Sequence, residues 1–273
     1  MQTWVDGRLL SDPDEPVVRA TDHGLTVGDG VFESVKVVDG RPFALTRHLE
    51  RLERSAAGIG LGGVDVAAVK EGVGAVLAAA HLPLGRLRIT VTGGPAPLGS
   101  GRGDAAPTVL VSAVPMDPLP AATKVVTVPW RRNEHSAVAG LKTTSYAENV
   151  VALAHAAERG ASEAVLANTA GDLCEGTGSN VFYVVDGELR TPTLASGCLA
   201  GVTRALVIEW LGAREVDEPI TVAEQADEAF LVSTTRDVQA VARWGDRELP
   251  APGPVTARAQ EVWAEREAQD VDP

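Results

Sequence analysis

One lysine stands just before a predicted helix, in the stretch GLKTTSYAEN at residues 140–149. The chain contains only four lysines against twenty arginines, and Lys142 has no acidic residue among its nearest neighbours. A lysine on a solvated helix face would need no explanation. A lysine amine placed at the start of a helix, after a loop, can instead act as a nucleophile toward a carbonyl group. The stretch therefore makes Lys142 a candidate nucleophile.

An aldehyde cofactor such as pyridoxal phosphate would need an acid at its ring nitrogen, donors for its phosphate and walls for its ring. Glu175, between two predicted strands, is a candidate for the acid. Val202 and Thr203 open a predicted helix whose N-terminal N–H groups favour an anion. Arg47 can add a permanent positive charge, and Thr234 ends a strand with a hydroxyl. Each residue alone fits an ordinary turn, cap or surface position, so the prediction depends on the whole set.

The elements that must position these residues are mixed helices and strands. Three Val-Asp-Gly sequences predict tight hairpins, because both central residues of a type I′ turn need positive φ. They lie at 5–7, 38–40 and 185–187. Apolar spacing predicts a helix after residue 46 and helices at about 65–80, 146–159 and 202–211. Strands are predicted at 31–38, 86–92, 107–114, 124–130, 163–168, 180–185 and 229–234. We expect a Gly-rich turn between 168 and 180, and fraying after residue 264.

Length and composition predict a two-domain enzyme of the cytoplasm. The chain has 273 residues, and three prolines in PMDPLPAAT predict a linker at 118–122. A small α/β domain would occupy 1–117, and a larger domain carrying the lysine would occupy 123–273. The formal charge of −13 argues against a nucleic-acid or membrane partner. No apolar run is long enough to span a membrane, the first residues lack a signal peptide, and the histidines and two cysteines show no metal-ligand spacing.

The order and spacing of these pieces resemble the class IV aminotransferases, the fold type IV family of pyridoxal-phosphate enzymes. That family includes D-amino acid aminotransferase, branched-chain aminotransferase and aminodeoxychorismate lyase. The matching segments run from about residue 20 to 257 and are DHGLTVGDGVFESVKV, RHLERL, GLKTTSYAEN, EAVLANTAGDLCEGTGSNVF, TPTLASGCLAGVTR, DEAFLVSTTRDVQAV and GPVT. The resemblance implies an α+β fold with a small α/β lobe and a larger lobe with a barrel-like β core. It also implies bound pyridoxal 5'-phosphate and a homodimer.

The resemblance assigns a role to each candidate. It implies that Lys142 is the Schiff-base lysine and that, once substrate displaces it, its amine moves the Cα proton. Glu175 resembles the carboxylate at the ring nitrogen, and Tyr146 the tyrosine near the lysine. The other cofactor contacts that it implies are Arg47, Val202, Thr203 and Thr234 for the phosphate and Leu199 for the ring wall.

The substrate contacts are where the family members differ. VFESVKVVDG is close to the D-amino acid form, which has Glu and Lys at the positions of Glu33 and Lys36. The loop at 93–106 lacks the Arg-x-His pair that holds the substrate carboxylate in the D-specific enzymes. Two arginines could replace it, Arg102 in that loop and Arg236, where the family typically has a small residue. Phe32 and Thr235 complete the predicted substrate contacts.

Three functions remain open from the sequence. The leading one is a transaminase that moves an amino group to a 2-oxo acid from an amino acid, expected to be a D-amino acid, or from a small chiral amine. The alternative is aminodeoxychorismate lyase, which forms 4-aminobenzoate and pyruvate. The third, a non-catalytic dimeric module, is disfavoured because Lys142 and Glu175 are both present.

Overall fold

The computed structural model describes every residue from Met1 to Pro273. The chain packs as two compact units. The first comprises Met1–Pro118, Leu141–Tyr146 and Val271–Pro273, and the second comprises Leu119–Gly140 and Ala147–Asp270. By packing, the segment that carries Lys142 therefore belongs with the N-terminal part of the chain. The domain boundaries predicted from the sequence, 1–117 and 123–273, stay a prediction.

The first unit is an antiparallel sheet with two long helices. Its elements are β1 (Gln2–Val5), β2 (Arg8–Leu9), α1 (His23–Thr26), β3 (Gly30–Val38), β4 (Arg41–Pro42), α2 (Leu45–Gly58), α3 (Val66–Ala79), β5 (Leu84–Thr92) and β6 (Thr108–Pro115). The six strands lie in the order β2-β1-β6-β5-β3-β4. Leu49 and Leu52 of α2 and Val73 of α3 pack with buried strand residues into one apolar core. Burial of these apolar faces holds both helices to the unit.

The second unit is built on a larger mixed sheet. Its elements are β7 (Ala122–Arg132), α4 (Ala147–Ala157), β8 (Glu163–Asn168), β9 (Leu173–Gly176), β10 (Asn180–Val185), β11 (Glu188–Thr191), α5 (Val202–Leu211), β12 (Arg214–Glu215), β13 (Glu228–Ser233), β14 (Asp237–Trp244), β15 (Arg247–Glu248) and α6 (Pro254–Gln269). Eight strands follow the order β12-β11-β10-β13-β14-β7-β8-β9, and β15 pairs with β14. The sheet is curled, as is that of the first unit, and the expected α+β fold is confirmed.

The three predicted hairpins are confirmed. Asp6, Asp39 and Asp186 have φ between 44° and 52°, and each is followed by a glycine with positive φ. The flanking residues pair in an antiparallel register in β1–β2, β3–β4 and β10–β11. The type I′ geometry is thus fixed by the Asp-Gly pairs, since few other residues accept a left-handed backbone.

Two local expectations were wrong. The segment between 168 and 180 is not turn throughout, because it contains β9, which pairs with β8. The residues after 264 do not fray, since α6 continues to Gln269 and buries Val262 and Trp263 on its inner face. No helix in the structure is long and apolar enough to cross a membrane.

Candidate active site

The main chain around Lys142 is fixed by pairing with the start of β3. Phe32 N donates to the carbonyl of Lys142 at 3.0 Å, and Thr144 N donates to the carbonyl of Gly30 at 2.8 Å. Lys142 N in turn donates to Ser55 Oγ of α2 at 3.1 Å. Because both sides of the segment are bonded to regular elements, the direction of the lysine side chain is set by the sheet rather than by a mobile loop.

The side chain of Lys142 lies among aromatic rings. Its Nζ is 3.4 Å from the hydroxyl of Tyr146 and 4.3 Å from the centre of the Phe32 ring. The two rings meet edge to face, with their centres 5.0 Å apart. Arg88 of β5 places its Cζ 3.4 Å from the centre of the same Phe32 ring. We call Phe32, Arg88, Lys142 and Tyr146 the lysine cluster.

Arg88 is the member of this cluster that the sequence analysis missed. Its Nε donates to Thr90 Oγ1 at 3.2 Å. Burial lowers the pKa of Arg88 to about 10, against the opposing charges of Tyr146 and Glu33, so the guanidinium is still cationic at neutral pH. The signal was in the strand register. Phe32 pairs with Thr90 and Ser34 pairs with Arg88, which puts Arg88 on the face of the sheet that Phe32 occupies.

A buried ion cluster supports α2 in the same unit. Arg51 donates from Nε and Nη2 to the two oxygens of Glu33 at 2.8 and 2.6 Å, and His48 Nδ1 is 2.7 Å from Glu33. Burial alone would raise the pKa of Glu33, but Arg51 and His48 hold it at about 2. Arg47, the arginine predicted to bind phosphate, lies on the same helix, and its Nε donates to the main-chain oxygen of Pro273 at 2.7 Å. Its phosphate role stays a prediction.

Glu175 lies on β9 of the second unit, where one carboxylate oxygen accepts a hydrogen bond and the other forms an ion pair. Oε2 accepts a hydrogen bond from Leu199 N at 2.9 Å, and Oε1 is 3.3 Å from Nε of Arg132. Arg132 also donates from Nη1 to Glu148 at the start of α4, at 2.7 Å. The side chains of Arg132 and Glu175 are 16% and 12% exposed. We call Arg132, Glu148, Glu175 and Leu199 the glutamate cluster.

The N terminus of α5 is a candidate anion-binding site. Its N-cap residue is Gly201, and no side chain caps the helix. A Cβ at this position would overlap Oδ1 of Asn180, so a larger residue would require the Asn180 side chain to move. Asn180 donates to the carbonyl of Leu199 at 2.9 Å and fixes the chain that enters the helix. The uncapped first turn, with Val202 and Thr203, presents the positive end of a ten-residue helix.

The two arginines predicted to bind substrate are paired with protein carboxylates. Arg102 donates to both oxygens of Asp29, at 2.7 and 2.5 Å, and to the carbonyls of residues 59 and 60. Arg236 donates to Gln239 and lies 3.4 Å from the buried Glu163. Arg236 is in the turn between β13 and β14, as are Thr234 and Thr235, and all three are half-buried. Their substrate and phosphate roles stay predictions.

Comparison with protein families and curated proteins identifies relatives. The family model described as amino-transferase class IV matches residues 30–244. A putative branched-chain-amino-acid aminotransferase of Methanocaldococcus jannaschii is 34% identical over 251 residues, covering 87% of this chain and 86% of that protein. A D-alanine aminotransferase of Staphylococcus haemolyticus is 30% identical and covers 95% of both chains. An aminodeoxychorismate lyase of Bacillus subtilis is 29% identical, covering 86% of this chain and 84% of that protein.

Solved structures agree with the sequence relatives. A branched-chain aminotransferase from Thermoproteus uzoniensis, solved with norvaline, superposes with a TM-score of 0.88 at 30% identity and covers 97% of this chain and 94% of that one. A hypothetical aminotransferase from Mycobacterium tuberculosis in its PLP-bound form gives a TM-score of 0.85 at 26% identity, covering 97% and 98% of the two chains. Both likenesses extend over nearly the whole of this chain.

Proposed function

This chain belongs to the class IV aminotransferases, and from that premise we propose that it is a transaminase. It moves an amino group between an amino acid, for which we propose a D-amino acid, and a 2-oxo acid. The observation that carries the proposal is the lysine cluster, in which a lysine amine and an arginine share one aromatic ring. Class IV aminotransferases use pyridoxal phosphate, so the first question is whether these residues suit it.

The residues present fit this cofactor. Lys142 offers an amine to the aldehyde, and Glu175 offers a carboxylate that is already held by a backbone N–H. The uncapped N terminus of α5, where Gly201 lies close to Asn180, suits the phosphate. Leu199 would line the ring. When bound, the cofactor supplies an electron sink for the carbon that loses its proton.

The chain's own part in proton transfer falls to Lys142. Its Nζ can accept the proton that leaves the Cα of the amino acid and later donate that proton, as a general base and then a general acid. The hydroxyl of Tyr146 at 3.4 Å restricts where that amine can point. The rings of Phe32 and Tyr146 meet edge to face beside the amine and cover part of it.

We propose that Arg88 is the substrate's carboxylate anchor. A carboxylate in a partly dry site needs a charged donor, and arginine is the strongest that a protein offers. Arg102 and Arg236 are each paired with a carboxylate of the protein. Arg88 has no carboxylate within ion-pair distance and lies at the ring that Lys142 contacts. It is thus the arginine best placed to receive the negative end of a substrate.

The phosphate cation of α2 has two candidates, four residues apart. Arg51 is buried, and its Nε and Nη2 already donate to both oxygens of Glu33. Arg47 is half-buried. We therefore propose that Arg47, a permanent positive charge, is the cation that α2 contributes to the bound cofactor.

The proposed D-specificity is supported by the D-alanine aminotransferase relative, which aligns over 95% of both chains. The test is a paired assay of the purified protein with pyridoxal phosphate and 2-oxoglutarate, using D-alanine, L-leucine or L-norvaline as the donor. We expect pyruvate from D-alanine, and borohydride treatment should fix the cofactor to Lys142 in a peptide map. Lys142→Ala should lose both signals.

The other results are equally informative. Transfer only from the L-donors would overturn the D-specific proposal. A cofactor-loaded protein that transfers from no donor would overturn the transaminase proposal. Pyruvate released from aminodeoxychorismate without any 2-oxo acid would identify lyase chemistry instead.

A further inference from the structure

Arg132 is a cation placed between two carboxylates of the second unit. It lies at the end of β7, where its Nη1 donates to Glu148 at 2.7 Å and its Nε is 3.3 Å from Glu175. The Nε–H is buried and makes no hydrogen bond. Arg132 therefore acts on Glu175 by its charge rather than by a directed bond, whereas its bond to Glu148 is directed.

The position of this charge has a chemical consequence. An opposite charge within about 4–6 Å favours the ionised form of a carboxylate. Leu199 N donates to the other oxygen of Glu175, which favours the same form. A carboxylate stabilised in this way is a weak competitor for a proton that it shares with a nitrogen heterocycle. The proton then resides on the heterocycle, which is the form that withdraws electrons best.

We propose that Arg132 is a positioning residue that keeps Glu175 ionised and in place, so that the proton between Glu175 and the ring nitrogen of the cofactor stays on the ring. The inference rests on the proposed function, since it needs a pyridine ring at Glu175. Arg132 is not a catalytic residue in this proposal, because it acts through Glu175.

The competing explanation is that Arg132 only anchors α4. Glu148 is in the first turn of that helix, and the bond from Arg132 fixes it to β7. This explanation predicts that losing either partner of the Arg132–Glu148 bond has the same effect. The proposal predicts that only Arg132 matters to the cofactor.

The test uses the full-length protein and pyridoxal phosphate itself. The variants are Arg132→Met, Arg132→Lys and Glu148→Gln, with Arg131→Met as the control because Arg131 is the exposed neighbour on the same strand. Two quantities are measured, the Kd of the cofactor for the apo-protein and the pH midpoint of the visible absorbance of the loaded protein. Thermal unfolding of each apo-protein reports on folding alone.

We expect Arg132→Met to weaken cofactor binding about tenfold and to shift the absorbance midpoint by about one pH unit, the equivalent of one charge interaction of this size. Arg132→Lys should restore part of both, while Arg131→Met and Glu148→Gln should change neither. When Glu175→Gln is already present, adding Arg132→Met should change the Kd of the cofactor by less than about twofold, because the carboxylate that Arg132 acts on is gone.

Several results would overturn the proposal. One is an equal loss in Glu148→Gln and Arg132→Met, seen as lowered thermal stability with an unchanged Kd. Another is an effect of Arg132→Met that is as large in the Glu175→Gln chain as in the original chain. If the unmodified protein binds no cofactor, the proposed function is overturned, and this inference with it. Tight binding that Arg132→Met does not alter overturns this inference alone.

Discussion

Two cations share the ring of Phe32, since Arg88 lies 3.4 Å and Lys142 4.3 Å from its centre. Like charges repel, and the negative face of an aromatic ring offsets only part of that repulsion, by about 0.5–2 kcal/mol per cation. Two carboxylates of the unit already bind other arginines, Glu33 through Arg51 and Asp29 through Arg102. An incoming carboxylate would therefore relieve the repulsion between Arg88 and Lys142 as well as bond to Arg88.

This gives a prediction for substrate choice. Arg88→Met should lower kcat/KM for a D-amino acid, because the buried carboxylate of the substrate loses its partner. The loss in transition-state stabilisation should be roughly 2–5 kcal/mol. The same change should matter little for an amine such as 1-phenylethylamine, which has no carboxylate. Initial rates with both donors measure the difference. Arg86→Met is the matched control, since Arg86 lies two residues earlier on β5 and is exposed.

Arg102→Ala and Arg236→Ala decide between the present proposal and the prediction from sequence. If Arg102→Ala or Arg236→Ala lowers kcat/KM selectively for the amino acid, and Arg88→Met does not, then the arginine removed by that change is the carboxylate anchor. Equal losses on both donors in Arg88→Met would mean that the change harms the lysine cluster generally.

At the scale of elements, the loop at 93–106 is bonded to the rest of the first unit through a buried histidine. His23 is 1% exposed, and its ring nitrogens lie 2.9 Å from Asp29 Oδ2 and 2.9 Å from the carbonyl of Gly99. Arg102 of the same loop binds Asp29. Both partners of the ring are acceptors, so only the doubly protonated imidazole can donate to both. The neutral ring must give up one of these bonds.

The loop should accordingly loosen as the pH rises. The bonds to Asp29 and Gly99 raise the pKa of His23, against burial and the charge of Arg102. Because the folded pKa lies above the unfolded value of about 6.5, the stabilisation is complete below that pH and is lost as pH rises through the folded pKa. Amide hydrogen exchange at residues 98–103, corrected for intrinsic rates, should speed up across that range. His23→Gln should abolish the dependence, and an unchanged profile in that variant would contradict the prediction.

The elements themselves were largely readable from the sequence. The hairpins follow from Asp-Gly pairs, and α2, α3 and α5 follow from apolar spacing, because these signals are local. β9 was missed because the segment LCEG has only four residues and ends in a glycine. Only its pairing with β8 makes it a strand. Lys142 and Glu175 could be proposed as site residues from motif order. Arg88 and Arg132 could not, because their partners are far apart in sequence and meet only through strand register and packing.

At the scale of the molecule, the dominant electrostatic fact is a formal charge of −13, from 37 acidic and 24 basic residues. A surface of this sign repels 2-oxo acids at long range, while Arg88 and Lys142 attract them only nearby. Salt separates the two effects, since the screening length falls from about 30 Å at 0.01 M to about 8 Å at 0.15 M ionic strength, and buried pairs are screened less than exposed charges.

We therefore expect salt to help the acceptor bind. Between 0.01 and 0.15 M ionic strength, KM for 2-oxoglutarate should fall by about threefold, and KM for singly charged pyruvate should fall less. KM for D-alanine, which carries no net charge at neutral pH, should not change. The measurement is a set of steady-state titrations at fixed pH with sodium chloride as the added salt. A KM for 2-oxoglutarate that rises with salt would mean that the local field of the lysine cluster extends beyond the site and outweighs the net charge of the chain. In that case Arg88→Met should remove the salt dependence, because it removes one of the two cations from which that field arises.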